Sequence, residues 1–230
     1  MTKKVLIVGD SPLIQTGFGR VNQIAAKAFQ SKGWKVAAVG ALTTKPKGLM
    51  EQGIRMYYPD KDVLGASRFQ QAMTEFQPDI VYMTADAGTA TALASGLPQC
   101  SSLFYIPIEG EPLGNYDWKR LISSLPVVTC SQYGADIIKR DTGKTVPYVY
   151  HGVDHDVYKV TENRDETRSR LGWTDKFVVT AVATNVRRKQ IPRLIEAISI
   201  LKHKYNVKDI VLYLHTIPFQ GYWLDGHKLE

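Results

Sequence analysis

The sequence predicts an α/β protein in which a Rossmann-like parallel sheet forms an N-terminal domain, and a second domain of the same kind begins after it. Three observations support this prediction. Short apolar runs rich in β-branched residues alternate with segments of helical periodicity. Charged and polar residues interrupt the series at 156–175, and the same pattern then restarts. The chain of 230 residues is also longer than one typical domain of about 100–200 residues.

The elements of the N-terminal domain follow in chain order. Residues 5–8 form an apolar run that predicts a buried strand, and small or apolar side chains share one face of a helix at 21–30, which Gly33 ends. The remaining elements are predicted in the same way. They are strands at 36–39, 79–83, 103–106, 127–130 and 146–150, an edge strand at 54–58, a helix at 66–76, and helix-compatible segments between the later strands.

The polar stretch at 156–175 is the predicted domain boundary, so we expect domains at 1–160 and 170–230. A doubly wound domain usually has several more strands than the restarted pattern provides. We therefore expect the second domain to be incomplete within this sequence. Its predicted elements are a strand at 177–182, a helix at 191–201 with Pro192 in its first turn, and a strand at 210–214.

Composition limits the function classes. The chain is 44% hydrophobic and 22% charged, a balance typical of a globular protein with a real core. Its net charge of +7 favours anionic partners such as nucleotides, phospholipid surfaces or nucleic acid, although the basic residues are scattered. The first apolar run, at 5–9, is too short for a signal peptide or a membrane span. Cys100 and Cys130 form no CxxC pair, which argues against a disulfide framework or a cysteine zinc site and favours a cytoplasmic location.

The loop after the first strand contains Gly17, Phe18, Gly19 and Arg20. In a parallel sheet this loop lies at the carboxyl edge, where glycines let backbone N–H groups approach a phosphate. A dinucleotide fingerprint would have its third glycine at the position of Asn22, so NAD binding is not expected. The alternative is that the glycines only turn the loop.

Two other motifs imitate known sites. Gly143-Lys144-Thr145 resembles the end of a phosphate-binding P-loop, but position 138 is not glycine and no strand precedes it, so we interpret Gly143 as a helix stop. His151 and His155 have the spacing of helical metal ligands. Because Gly152 and the preceding strand predict a turn there instead, no metal site is expected.

Two carboxylates, Glu109 and Glu111, follow the strand at 103–106 on a loop rich in proline and glycine. This loop is expected at the same edge of the sheet as the glycine loop. Glu109 is a candidate for orienting an acceptor hydroxyl or acting as a base. The alternative is a solvated loop with no catalytic role.

A group of cations precedes the helix of the second domain. Arg187, Arg188 and Lys189 lie between the strand at 177–182 and the helix N-terminus. The helix dipole disfavours positive charge at this end by about 0.3–1 kcal/mol per residue. A bound diphosphate would satisfy both the cations and the free N–H groups, so the sequence predicts an anion site here. A solvated basic turn is the alternative.

Four segments carry a resemblance to a known family. They are Asp10-Ser11-Pro12 with 16–20, then 105–110, then 151–154, and Arg188-Lys189 with 193–197. In order and spacing they resemble the GT-B glycosyltransferases of family 4, which include glycogen synthase-like and phosphatidylinositol mannosyltransferase-like enzymes. The resemblance covers nearly the whole chain. It implies two facing Rossmann-like domains, with an acceptor in the N-terminal half and a nucleotide sugar held mainly by the C-terminal half.

The resemblance also implies an activity and roles for residues. It implies a retaining enzyme that moves a sugar from a nucleotide-diphosphate sugar to an acceptor of unknown class: a glycan, a lipid or a nucleic acid. Lys189 would neutralise the diphosphate as the sugar bond breaks, and Glu109 is the second catalytic candidate. The remaining implied site residues are Gly17, Phe18, Gly19, Arg20, Arg187 and Arg188 near the donor phosphates, and Asp10, Glu109 and Glu111 on the acceptor side.

The sequence departs from the family pattern in two places. The family usually has an arginine close to the position of Thr184, so Arg187 or Arg188 would have to take its role. The family's paired glutamates, which contact the donor sugar and ribose, would lie beyond Glu230. We expect no cofactor or metal besides the donor substrate, no transmembrane segment, and at most peripheral membrane contact. A non-catalytic module that keeps a phosphate or acceptor pocket, and a nucleic-acid binder, are the alternative functions.

Overall fold

The computed structural model describes residues 2–41, 50–59, 66–94, 101–114, 116–160 and 163–216. The chain divides into two compact units, Met1–Val153 and Asp154–Glu230. Cys130 is a free thiol, whereas Cys100 lies outside the described residues. No helix among the described residues is long and apolar enough to cross a membrane.

A seven-stranded sheet forms the centre of the first unit. Its strands are β1 Lys4–Asp10, β2 Lys35–Ala41, β3 Met50–Glu51, β4 Ile54–Tyr57, β5 Ile80–Thr84, β6 Ser102–Ile106 and β7 Val127–Thr129. The strand order is β3-β4-β2-β1-β5-β6-β7. Every neighbouring pair is parallel except β3 and β4, which are antiparallel.

Helices cover both faces of this sheet because successive strand residues point to opposite sides. The helices are α1 Gly17–Ser31, α2 Ala66–Phe76, α3 Ala87–Ala94, α4 Tyr116–Ser124 and α5 Gln132–Thr142. Leu6 and Val8 of β1 belong to a large core shared with α2, α3, α4 and α5. Val5 and Ile7 point the other way, into a smaller core with Ala26 of α1. Among the described elements of this unit, α1 alone packs on that second face.

Most predicted elements of the first unit are confirmed, and two need correction. The predicted edge strand at 54–58 is not at the edge, because Gln52 and Gly53 adopt positive φ and turn β3 back onto the outer side of β4. The predicted strand at 146–150 is wrong. Only one bridge forms there, between Thr129 and Tyr148. Pro147 lacks the N–H that a continuous ladder needs.

The described residues of the second unit form a βαβ unit and a short helix before it. Its elements are α6 Arg164–Arg170, β8 Phe177–Val182, a 3-10 turn Arg187–Lys189, α7 Ile191–His203 and β9 Ile210–His215. Strands β8 and β9 are parallel and are joined through α7. The charged residues of α6 lie within the stretch 156–175, which was predicted as the domain boundary. Asn163 caps this helix, and its acidic first turn and basic last turn complement the helix dipole.

Candidate active site

The first unit has a topological switch point between β1 and β5. From β1 the chain continues through α1 to β2, which pairs with one side of β1. Strand β5 pairs with the other side of β1, and β6 and β7 follow beyond it. Ligands of open α/β sheets bind in the crevice at the carboxyl ends of such strands. A cavity of about 270 Å³ lies there, and we call it the switch-point cavity. Its lining consists of Gly9, Asp10, Phe18, Ala41, Thr84, Ala85, Asp86, Thr89 and Leu93.

Asp10, the last residue of β1, is held in place by two hydrogen bonds. Its carboxylate oxygen Oδ2 accepts a bond from the Thr16 hydroxyl at 2.5 Å, and its backbone carbonyl accepts one from Asn22 Nδ2 at 2.8 Å. Asn22 is fully buried. The residue that breaks the dinucleotide fingerprint therefore connects the end of β1 to α1.

Asp86 is a second carboxylate of the cavity, and it was not among the predicted site residues. It accepts hydrogen bonds from the Thr89 amide at 2.9 Å and the Thr89 hydroxyl at 2.8 Å, which caps the start of α3. Thr84, at the end of β5, is only 1% exposed. An aspartate between a buried strand and a helical segment is an N-cap signal that could have identified this position.

Gly9, Gly17 and Gly19 differ in whether a side chain would fit at their positions. Gly9 has a φ of +139°, and a Cβ there would lie 2.2 Å from the Thr84 carbonyl oxygen. A Cβ on Gly19 would lie 2.5 Å from the Ile14 carbonyl oxygen, so glycine is required by the loop's own backbone. A Cβ on Gly17 would meet nothing within 4 Å. The space beside Gly17 is thus open to a ligand, and the space beside Gly19 is filled.

Two residues of the predicted phosphate loop, Gly17 and Arg20, lie outside the switch-point cavity. They line a separate groove of about 470 Å³ between α1 and the sheet face, whereas Phe18 lines the switch-point cavity. Tyr105 lies in this groove, and its hydroxyl donates to the Val149 carbonyl at 2.6 Å. Burial raises the pKa of Tyr105 to about 12. Residues 17–20 were predicted as a loop before the helix at 21–30, but they form the first turn of α1. This turn borders both cavities.

Glu109 and Glu111 are both exposed on the loop after β6, and neither lines the switch-point cavity. Glu111 forms an ion pair with Arg140 of α5 at 2.5 Å. Arg140 also pairs with Asp141 at 2.7 Å, and Asp141 accepts a hydrogen bond from the Leu113 amide at 2.7 Å. The Arg140 guanidinium holds the pKa of Asp141 below its ordinary value, assisted by this amide. Glu111 thus helps to attach the loop to α5.

The P-loop-like sequence has a structural explanation. Gly143 adopts a left-handed conformation as the C-cap of α5, which confirms the predicted helix stop. The Lys144 ammonium donates hydrogen bonds to the carbonyls of Ile122 at 2.8 Å and Leu125 at 2.5 Å, where α4 ends. Burial lowers the pKa of Lys144. This lysine satisfies the carbonyls at the end of a helix.

The turn Arg187–Lys189, which we call the basic turn, lies between β8 and α7 as the sequence predicts. All three side chains are exposed, and none forms an ion pair within the described part of the chain. The first turn of α7 has no acidic residue. Gln190, its N-cap, makes no side-chain hydrogen bond to the helix amides. The positive end of the helix and the three cations therefore add their fields.

One further residue at this edge was not among the predicted site residues. His215 is the last residue of β9 and pairs in register with Val182, the last residue of β8. It is exposed, and its ring contacts that of Tyr213 at a centroid distance of 6.4 Å. Parallel strand pairing places it at the same sheet edge as the start of the basic turn. Among the described residues, no group of three or more His, Cys, Asp or Glu side chains is arranged to hold a metal ion.

Comparison with known proteins identifies the fold. No protein-family model and no curated protein matches the sequence. The structure is similar to a glycosyltransferase from Rickettsia africae ESF-5, with a TM-score of 0.65 and 12% identity over 93% of this chain and 68% of that one. It is also similar to Anabaena HepE in complex with UDP, with a TM-score of 0.61 and 15% identity over 94% of this chain and 70% of that one.

The chain has a glycosyltransferase fold. The predicted fold class, α/β with a Rossmann-like, mostly parallel sheet flanked by helices, is confirmed. Within this glycosyltransferase fold, each unit presents candidate residues where its parallel strands end: the switch-point cavity in one unit and the basic turn in the other.

Proposed function

We propose that this chain acts in sugar transfer from a nucleotide-diphosphate sugar, in the manner of retaining family 4 glycosyltransferases. The observation that carries the proposal is the basic turn. Three exposed cations without acidic partners in the described residues stand at the N-terminus of α7. The glycosyltransferase fold, and the UDP bound to the similar Anabaena protein, support a nucleotide sugar as the anionic ligand.

Physical chemistry favours a diphosphate at the basic turn. Uncapped amides and the helix dipole attract an anion, and arginine side chains bind phosphate oxygens in a bidentate manner. Negative charge builds up on the leaving diphosphate as the sugar bond breaks. Fixed cations such as Lys189, with Arg187 or Arg188, would stabilise that charge in the transition state. We propose that these cations make a metal ion unnecessary.

The acceptor side of the reaction is proposed to involve the first unit. Asp10 lies at the end of β1 in the switch-point cavity, and Phe18 lines the same cavity. We retain Glu109 as a candidate for orienting an acceptor hydroxyl because it is exposed and has no ion pair within the described residues. Gly17 is retained as a candidate for close contact with a donor phosphate because the space beside it is open. A cytoplasmic location remains a proposal from the cysteine content.

Calorimetric titration with UDP- and GDP-sugars tests donor binding. We expect Lys189→Ala and Arg188→Ala to weaken binding by about tenfold or more, because a hydrogen bond to a charged group contributes about 1.5–3 kcal/mol. Lys202→Ala is the matched control, since Lys202 is an exposed lysine in the last turn of the same helix. If neither nucleotide sugar binds, or the Lys189 and Lys202 variants bind equally well, the proposal is wrong.

Transfer itself is tested with an isotopically labelled donor and a panel of glycan and lipid acceptors. Nuclear magnetic resonance of the product reports its anomeric configuration, and we expect the configuration of the donor to be retained. An inverted product would contradict the proposed mechanism. Donor binding without transfer or donor hydrolysis would support the alternative of a non-catalytic binding module.

A further inference from the structure

The switch-point cavity differs in charge from the basic turn. Two carboxylates, Asp10 and Asp86, line it, and none of the described residues that line it is a lysine, an arginine or a histidine. Neither carboxylate forms an ion pair with any described residue. Their partners are the neutral hydroxyls of Thr16 and Thr89 and the Thr89 amide, so no cation among the described residues neutralises them. A phosphate or a carboxylate entering this cavity would meet like charge.

The remaining lining suits a small ring. Phe18 and Leu93 supply apolar surface beside the carboxylates and hydroxyls. An aromatic side chain next to hydrogen-bond acceptors is complementary to a molecule with one apolar face and several hydroxyl groups. The volume of about 270 Å³ corresponds to about nine water molecules at ~30 Å³ each, which is enough for one sugar ring.

We propose that the switch-point cavity binds a sugar ring that carries no negative charge, with preference for one that bears an amino group. Asp10 and Asp86 accept hydrogen bonds from its hydroxyl or ammonium groups, and Phe18 contacts its apolar face. The assignment of this ring to the acceptor rests on the proposed function. The binding of the ring itself does not.

Saturation-transfer nuclear magnetic resonance on the full chain tests this proposal directly. The probes are glucose, galactose and mannose, their 2-amino derivatives, and the corresponding uronates. We expect at least one hexose to bind, its amino derivative to bind more tightly, and its uronate to bind about tenfold more weakly or not at all. No binding by any sugar of the panel, or binding of uronates equal to that of the neutral sugars, would overturn the proposal.

Variants locate the bound sugar. Asp86→Asn keeps a side chain that can cap α3 but removes the charge, so we expect the preference for amino sugars to fall by about tenfold while the fold is kept. Asp136→Asn, an exposed position on α5, is the matched control and should leave the preference unchanged. An unchanged preference in both Asp86→Asn and Asp10→Asn would show that the sugar binds elsewhere and overturn the proposal.

The two proposals fail separately. UDP binding is measured in the same samples and depends on the basic turn, far along the chain from Asp10 and Asp86. Retained UDP binding without sugar binding contradicts only the cavity proposal. Retained sugar binding without UDP binding contradicts only the proposed donor.

Discussion

Thr16 donates a hydrogen bond to the Asp10 carboxylate at 2.5 Å while its own oxygen accepts one from the Gly19 amide at 2.9 Å. One hydroxyl thereby caps α1 and orients the acid at the end of β1. Since Asp10 lines the switch-point cavity, the stability of α1 and the geometry of the candidate site depend on the same side chain.

Removing the Thr16 hydroxyl should affect both the stability of α1 and the orientation of the Asp10 carboxylate. We expect Thr16→Ala to lower the free energy of unfolding by about 0.5–2 kcal/mol, the usual effect of losing an N-cap. Urea denaturation measures the change, and Thr16→Ser should restore most of it. Thr74→Ala is the control because Thr74 is an exposed residue of α2, and its change should stay within about 0.5 kcal/mol. Equal effects of the two alanine variants would contradict the capping role.

The two glycines at the start of α1 should respond differently to substitution. In Gly19→Ala the new methyl group would lie 2.5 Å from the Ile14 carbonyl oxygen, so we expect a loss of about 1–3 kcal/mol of stability. Gly17→Ala should cost little, because nothing lies within 4 Å of its Cβ position. Thermal denaturation separates the two. Weaker UDP-sugar binding by a stable Gly17→Ala variant would support a phosphate contact there, and unchanged binding would argue against it.

The contact between Asp141 and the loop after β6 should make stability pH-dependent. Its pairing with Arg140 lowers the pKa of Asp141 from the ordinary 3.8. A carboxyl whose pKa is lower in the folded state stabilises the fold at pH values above its unfolded pKa, and this stabilisation is lost as pH falls through the folded pKa. We therefore expect Asp141→Asn to be less stable than the unmodified chain at pH 7, and the difference to shrink below pH 3.8.

Urea denaturation from pH 7 down to about pH 2 measures this pH dependence, over the range in which aspartates titrate. Asp136→Asn, on the same helix, serves as the control because Asp136 has no ion pair within the described residues. If the difference in the free energy of unfolding between the Asp141 variant and the unmodified chain does not depend on pH, the charge of this carboxylate does not contribute to stability.

The two ends of α7 should respond with opposite sign to the removal of a lysine. Lys189 precedes the N-terminus, where the helix dipole opposes a cation, and Lys202 lies in the last turn, where the dipole favours one. In low salt we expect Lys189→Ala to raise the free energy of unfolding by about 0.3–1 kcal/mol and Lys202→Ala to lower it by a similar amount. Both effects should decrease in ~1 M salt, where charges are screened within about 3 Å. Loss of stability in both variants would contradict this account.

Strong local patterns were predicted well from the sequence. The helix at 66–76 and the strand at 177–182 have the predicted bounds. Sequence patterns were insufficient where the formation of a strand depends on the neighbouring strand with which it pairs. Val146 and Val149 suggested a strand, yet only a single bridge to β7 forms around Pro147. The two-residue strand β3 is too short for any periodicity and exists because it pairs with β4.

The two candidate sites also differ in how well the sequence predicted them. The basic turn was predictable because its three cations are consecutive and lie between a recognisable strand and helix. Asp86 was not predicted as a site residue because no neighbouring residue in the sequence marks it as part of a site. Its N-cap role is local, whereas its place in the same cavity as Asp10 depends on the pairing of β1 with β5. Glu109 and Glu111 were predicted at the same edge of the sheet as Asp10, and neither lines the cavity that Asp10 lines.

By itself the sequence determined the order of most strands and helices, the α/β class and the cationic start of α7, since these depend on side-chain periodicity and charge within short stretches. Only the tertiary structure decided that β1 lies between β2 and β5, and therefore that Asp10 and Asp86 share one cavity, whose described lining residues include no cation. The physical reason is that parallel strands pair through backbone hydrogen bonds between distant segments. The choice of neighbour depends on how the whole apolar core packs, and no local pattern encodes it.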